Sequence, residues 1–279
     1  MKIGVNTFIW SVAYDQAVRA QLPRIKASGF DGIEVPLFDP SQFPASQIRR
    51  DTESHALDRT VCAVFVKGLS LISGDPSTRS KARQHLADAI KSTADCGAKI
   101  IAGPLYCPVG YLPGRSRDDN EWNWAIEAYQ SLTPTLDANG ITLAIEPLNR
   151  FETFFLNTAC DAVRLCDRIS HPRIGILFDT FHANIEEKDV VGALEISARH
   201  LTHVHISEND RGTPGSGHLP WDRVFQTLTT IGYDSWLTIE SFAFNIPEIS
   251  TAACIWRDIE PTPDSIAYDG VKFLKARFA

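Results

Sequence analysis

The apolar positions of the chain gather into short β-rich runs, with longer stretches of helical spacing between them. The same unit recurs four times: an amphipathic stretch, a glycine, then a run of β-formers. Ala27-Ser28-Gly29-Phe30 leads to Gly-Ile-Glu-Val at 32–35, and Asp95-Cys96-Gly97 leads to Lys-Ile-Ile-Ala at 99–102. Ala138-Asn139-Gly140 leads to Ile-Thr-Leu-Ala-Ile-Glu at 141–146, and Thr230-Ile231-Gly232 to Trp-Leu-Thr-Ile-Glu at 236–240. A glycine just past a helix end takes the positive φ that other residues resist. Helix, glycine, strand is the αβ half of a βαβ unit. The pattern predicts strands near 3–8, 32–37, 61–66, 99–103, 141–146, 174–179, 202–207 and 236–240, with helices such as 79–96, 121–138 and 157–169 in the gaps. Each gap has room for one crossover helix.

Eight strands alternating with helices predict a closed (β/α)8 TIM barrel, a single α/β domain over 1–279, in preference to an open doubly wound sheet. The 279 residues suit that fold, which typically takes ~250. No G-x-G-x-x-G follows a strand and no Walker motif occurs, which argues against a nucleotide site. Long loop-like stretches at 104–120 and 242–268 follow the fourth and eighth strands. Loops after strands build the active-site face of this fold, so both are expected to be lids or substrate walls. Tyr106, Pro108, Tyr111, Leu112 and Pro113 suggest that the first is an ordered wall.

A net charge of −7 repels phosphate backbones, so no nucleic-acid partner is expected. The start MKIGVNTFIW reads as a strand and not as an export signal, and no run of ~20 apolar residues suggests a membrane span. Six cysteines, Cys62, Cys96, Cys107, Cys160, Cys166 and Cys254, form no C-x-x-C pair. They read as reduced, buried thiols of a cytoplasmic protein.

The ionisable residues are placed tellingly. Glu146 ends the fifth strand, Asp179 the sixth and Glu240 the eighth, and His205 lies near the end of the seventh. Consecutive strands of a barrel bring these four to one end of the pore. So many carboxylates cannot sit together unless protons or a cation offset their repulsion, and one divalent metal is the economical answer. The oxygen-rich set without thiolate suits Mn²⁺, Mg²⁺ or Co²⁺ better than a structural Zn²⁺. Glu152, His182 and Arg211 follow just past these ends, where a polyol substrate would be held. Glu34 ends the second strand, across the barrel from the group; a structural salt bridge is expected first, with a supporting or substrate role as the alternative. His203 reads as a core or rim residue turned away from the side His205 faces. Glu146 and Glu240 belong to strands that face each other across the ring, so a substrate between them presents opposite faces to two carboxylates. Such a pair can invert a carbon whose C–H is acidified by a neighbouring carbonyl.

The segments IEPLNRFETFFLNT (145–158), FDTFHANIEE (178–187), HVHISENDRGTPGSGHLPW (203–221), TIESF (238–242) and IWRD (255–258) resemble the ketose 3-epimerases, the group of D-tagatose, D-psicose (D-allulose) and L-ribulose 3-epimerases among the xylose-isomerase-like TIM barrels. The resemblance covers essentially the whole chain. It implies that Glu146, Asp179, His205 and Glu240 hold one divalent ion, with Mn²⁺ first and Co²⁺ or Mg²⁺ as alternatives. It implies that Glu146 and Glu240 exchange the C3 proton of a free ketose through a metal-bound cis-enediolate. Glu152, His182 and Arg211 would hold the O1–O3 end of the sugar, and the protein would be a dimer or tetramer. The chain departs from well-known members at Asn6, Phe8, Trp10, Tyr14 and the 103–112 loop, where the far end of the sugar should sit.

Three other readings stay open. An aldose–ketose isomerase would use the same groups but move a proton between C1 and C2. An endonuclease-IV-like DNA-repair enzyme would need several zinc ions, more histidines than eight and a basic face. A sugar-binding protein without catalysis would not need a base on both faces of its ligand.

Overall fold

Side chains alternate between two faces along eight parallel strands, and the strands close on themselves. The computed structural model describes residues 1–243, 246, 250 and 253–278. The strands are β1 (Lys2–Asn6), β2 (Gly32–Leu37), β3 (Asp58–Ala63), β4 (Ile100–Gly103), β5 (Thr142–Ile145), β6 (Ile174–Asp179), β7 (Leu201–Ile206) and β8 (Trp236–Ile239). They pair in sequence order, and β1 meets β8 with Val5 opposite Ile239. The chain is a TIM barrel, as the alternation predicts.

Helices α1 (Gln16–Ser28), α2 (Ala45–Ser54), α3 (Pro76–Asp95), α4 (Asp119–Asn139), α5 (Ala159–Ile169), α6 (Thr180–Glu186), α7 (Val190–Ser197) and α8 (Trp221–Thr230) connect the strands, and a C-terminal helix spans Pro263–Phe278. The predicted helices start within three residues of the observed ones, and local caps set the difference. Asp75 accepts from Ser77 and Thr78 N–H to open α3 before its apolar stripe begins. Asp118 and Glu121 form a reciprocal capping box at α4, and Thr158 caps α5. Gly29, Gly97, Gly140 and Gly232 all have positive φ, from 63° to 86°, as the repeated unit requires. The expected third strand at 61–66 lies three residues too late, because β3 is paired along its whole length with β2, from Gly32↔Asp58 to Leu37↔Ala63. The stretch 242–268 corrects in one respect: its end is helical from Pro263. Positions 244, 245, 247–249, 251 and 252 of that stretch lie outside the described residues.

The main core lies between strands and helices. A second, small one of Ile100, Ala102, Ala144, Leu177 and Trp236 fills the lower pore. A Cβ on Gly32 would fall 2.6 Å from the Trp236 ring and 2.4 Å from the Asp58 carbonyl oxygen, and one on Gly4 would fall 3.1 Å from that ring. The two glycines thus admit the indole that plugs the barrel. With the lower pore sealed, inward positions one layer up are polar, and these build the site. Four cysteines are buried as expected, but Cys160 and Cys254 are exposed. Among the described residues no helix is long and apolar enough to cross a membrane.

Candidate active site

Glu146 and Glu240 directly follow β5 and β8, Asp179 closes β6, and His205 is the fifth residue of β7. One ligand atom from each lies within 4.8 Å of every other, and all four residues are buried. His205 Nδ1 stands 3.2 Å from Glu240 Oε1, 3.7 Å from Asp179 Oδ2 and 3.8 Å from Glu146 Oε1. It has no hydrogen-bond partner. A buried nitrogen without a partner, aimed at three carboxylates, is the donor set a divalent cation completes. The ring's other nitrogen, Nε2, lies 2.7 Å from Glu34 Oε1.

The electrostatics agree. Burial and the Glu240 carboxylate push Glu146 well above the usual carboxylate range. Burial would raise Asp179 too, but Arg211, His182 and His205 together hold it well below that range. Burial opposes a charge on His205, yet Glu240 and Glu34 draw its pKa well up. Three carboxylates crowded round one imidazole and one guanidinium make the cluster capable of holding a cation.

Arg211 is buried at positive φ (66°). Its Nη1 donates to Asp179 Oδ2 (2.8 Å), Ser207 Oγ (2.8 Å) and Glu240 Oε2 (2.9 Å). The guanidinium lies over the Phe181 ring, 4.0 Å from its centroid. Ser241 Oγ donates to the Arg211 carbonyl, and the Glu208 carboxylate accepts from Gly215 N–H and Trp221 Nε1, which anchors the loop. His182 Nδ1 accepts from Asn149 N–H at 3.1 Å, so in the neutral ring the proton is on Nε2. Burial keeps that ring's pKa low. Glu152 accepts from Asn149 Nδ2 at 2.8 Å.

A cavity of about 330 Å³ opens above the cluster. Glu146, Glu152, His182, Arg211 and Glu240 line its inner side, while Phe8, Val12, Phe38, Val64, Val109 and Phe242 line the rest. The structure brings together all seven residues named from sequence. It also shows three misreadings. His203 does not turn away from the side of His205: residues two apart on a strand share a face, and both imidazoles reach Glu34 inside the pore. Glu34 is not remote at a strand end but third of six in β2, directly behind His205. Tyr106 is not a substrate wall. It is fully buried, its ring tilted against Phe155 with centroids 5.2 Å apart, and donates to the Glu146 carbonyl at 3.1 Å. Tyr111 and Leu112 are half exposed, and from this loop Pro104 and Val109 reach the cavity instead. Cys62, Phe38 and Phe242 were missed as lining residues. Strand parity would have found Cys62 once β3 was placed correctly.

A family model described as Xylose isomerase-like TIM barrel matches residues 22–277. A protein of Synechocystis sp. named "Probable ketose 3-epimerase" is 37% identical over 278 residues, covering 100% of this chain and 97% of that protein. The chain belongs to the ketose 3-epimerase family of xylose isomerase-like TIM barrels. It is an isomerase. The L-ribulose 3-epimerase of a Methylomonas species is 28% identical over 100% of this chain and 98% of its own length. The crystal structure of a D-allulose 3-epimerase from Methylomonas in complex with D-allulose superposes with a TM-score of 0.93 at 27% identity, over 99% of this chain and 97% of that one.

Proposed function

We propose that this family member inverts C3 of a free ketose, a ketohexose or ketopentose such as D-tagatose, D-psicose or L-ribulose. One divalent ion would be held by Glu146, Asp179, His205 and Glu240, with Mn²⁺ the best match to three carboxylates and one imidazole, and Co²⁺ or Mg²⁺ as alternatives. When bound, the ion would polarise the ketose carbonyl and offset the charge that develops on its oxygen. The chain's own groups do the rest. One of Glu146 and Glu240 takes the C3 proton from its face, and the other delivers a proton to the opposite face; in the reverse direction they exchange roles. His182 Nε2 and Arg211 Nη2 receive substrate oxygens, and Glu152 accepts from a hydroxyl. The observation that carries the reading is the pair of buried carboxylates converging on His205 Nδ1 at the floor of a sugar-sized cavity.

The apolar remainder of the cavity favours an unphosphorylated sugar. Arg211 is the only Lys or Arg side chain lining it among the described residues, and it is already committed to Asp179 and Glu240. A sugar phosphate would bury its dianion without a partner. The same reading includes a cytoplasmic homo-oligomer, a dimer or tetramer, as family resemblance suggests; Phe151 and Trp256, more than 70% exposed on loops after β5 and β8, are candidate contacts.

The test is incubation of ketoses in D₂O with Mn²⁺. Deuterium at C3 of both epimers is expected. Label at C1 or C2 with aldose formation would replace the proposal by an aldose–ketose isomerase.

A further inference from the structure

The wall of the pore behind His205 is as ordered as the site itself. Asn6, Glu34 and Thr60 stand level on three adjacent strands, paired Asn6↔Glu34 and Glu34↔Thr60. Each is fully buried or nearly so. Glu34 Oε1 accepts from Asn6 Nδ2 at 3.0 Å and faces His205 Nε2 at 2.7 Å. Glu34 Oε2 accepts from Thr60 Oγ1 at 2.8 Å, and His203 Nε2 lies 2.8 Å from it. The orientation of Asn6 is fixed as well. Its Oδ1 accepts the Phe8 N–H that opens a 3₁₀ turn, so its amide NH₂ must face the carboxylates. That NH₂ reaches Glu240 Oε1 at 3.3 Å as well as Glu34.

We propose that Glu34, locked by Asn6 and Thr60, is a positioning residue that holds the proton of His205 on Nε2 and thereby presents the Nδ1 lone pair to the metal. The inference rests on the metal-site reading above. The alternative tautomer would leave Glu34 facing an acceptor and would aim an N–H at three carboxylate ligands, so Nδ1 could not ligate a cation among them. Glu34, His203 and His205 are also close enough to one another to hold an ion themselves. With an ion already on Nδ1, that use would also take the proton from His205 Nε2, and the oxygens of Glu34 already have donors in Asn6 and Thr60. One ion, with Glu34 behind its histidine, is the arrangement the hydrogen bonds support. Asn6 adds a mechanical link: the same amide braces Glu34 and Glu240, so the histidine ligand and one proposed base share a support.

The test is Mn²⁺ titration of metal-stripped wild type and Glu34→Gln by calorimetry, with thermal melts of both metal-free proteins. The amide can offer an N–H to His205 Nε2 and carries no charge. Loss of ~10- to 100-fold in Mn²⁺ affinity is expected, in a variant whose metal-free form still melts cooperatively, together with an altered Co²⁺ absorption spectrum. An affinity within threefold of wild type in the folded variant would overturn the proposal. A second equivalent of ion bound by wild type and lost in the variant would also overturn it. Should Glu34→Gln not fold, ¹⁵N-histidine spectra of wild type loaded with Mg²⁺ or Zn²⁺ decide: the His205 proton belongs on Nε2, and finding it on Nδ1 would end the idea. Failure of wild type itself to bind any ion would instead strike the metal-site reading.

Discussion

His182 Nε2 and Arg211 Nη2 stand 3.2 Å apart, with a donor on each. Asn149 N–H forces this by occupying His182 Nδ1. A substrate oxygen in front of the pair, within hydrogen-bond distance of each, would accept from both. His182→Ala and Arg211→Ala are therefore expected to lower turnover by roughly 10²-fold, the scale of a mispositioned reacting carbon. Both should keep the ion, since neither is a proposed ligand and loss of Arg211 leaves Asp179 and Glu240 more available to a cation. Metal analysis of the purified variants checks this, and an empty His182→Ala protein would refute its assignment.

Removal of metal should cost stability. An ion that binds only the native state contributes about 2.7 kcal/mol at a hundred times its dissociation constant. For a chain of this size that corresponds to a melting temperature higher by roughly 5 °C. Scanning calorimetry with chelator, then with excess Mn²⁺, measures it. Equal melting temperatures in both conditions would show that the four buried ligands do not gather an ion.

The wall of the cavity yields a prediction that separates two kinds of loop residue. Val109 lines the cavity, whereas Tyr111 and Leu112 are half exposed and do not. Val109→Ala should change the ratio of ketopentose to ketohexose rates, while Tyr111→Ala and Leu112→Ala should leave it unchanged. Tyr106→Phe should destabilise by about 1–3 kcal/mol by leaving the buried Glu146 carbonyl without its donor. Rates on both sugar classes and denaturant melts check the set; a changed ratio in Leu112→Ala would restore the outer loop as a wall.

Why the sequence was legible in parts follows from which forces act locally. The helix–glycine–strand unit records backbone geometry at Gly29, Gly97, Gly140 and Gly232, so strand number and order could be counted. The four clustered residues, Glu146, Asp179, His205 and Glu240, were legible because a charge after an apolar run stands out wherever the chain is read. The supporting layer was not. Thr60 and Asn6 are ordinary polar residues until the register with Glu34 is known, and that register is a property of three strands together. Tyr106 looks like any loop aromatic; only packing shows that its hydroxyl reaches a carbonyl forty residues away. The mistake over His203 was one of parity, which the strand itself could have corrected.

Glu146→Gln and Glu240→Gln should each abolish epimerisation while preserving the fold. The amide keeps the size and one ligating oxygen of the carboxylate but cannot take up a proton near neutral pH. The two groups reach one another's surroundings through His205 Nδ1, 3.8 Å from Glu146 and 3.2 Å from Glu240, yet directly follow β5 and β8, three strands apart in the ring. Each would serve one face of C3, and neither can stand in for its partner because the partner faces the other side of the carbon. A single variant therefore retains half a reaction. In D₂O it should wash deuterium into C3 of the epimer whose hydrogen faces the intact carboxylate, without forming the other epimer. The two variants should do so with opposite epimers. Plain loss of activity proves less, because a weakened metal site produces it too, so metal content must be measured on the same samples. Metal-replete Gln variants that still interconvert both epimers near the wild-type rate would rule out the two-base mechanism. Exchange by both variants on the same epimer would mean that only one face of the carbon is served by a glutamate.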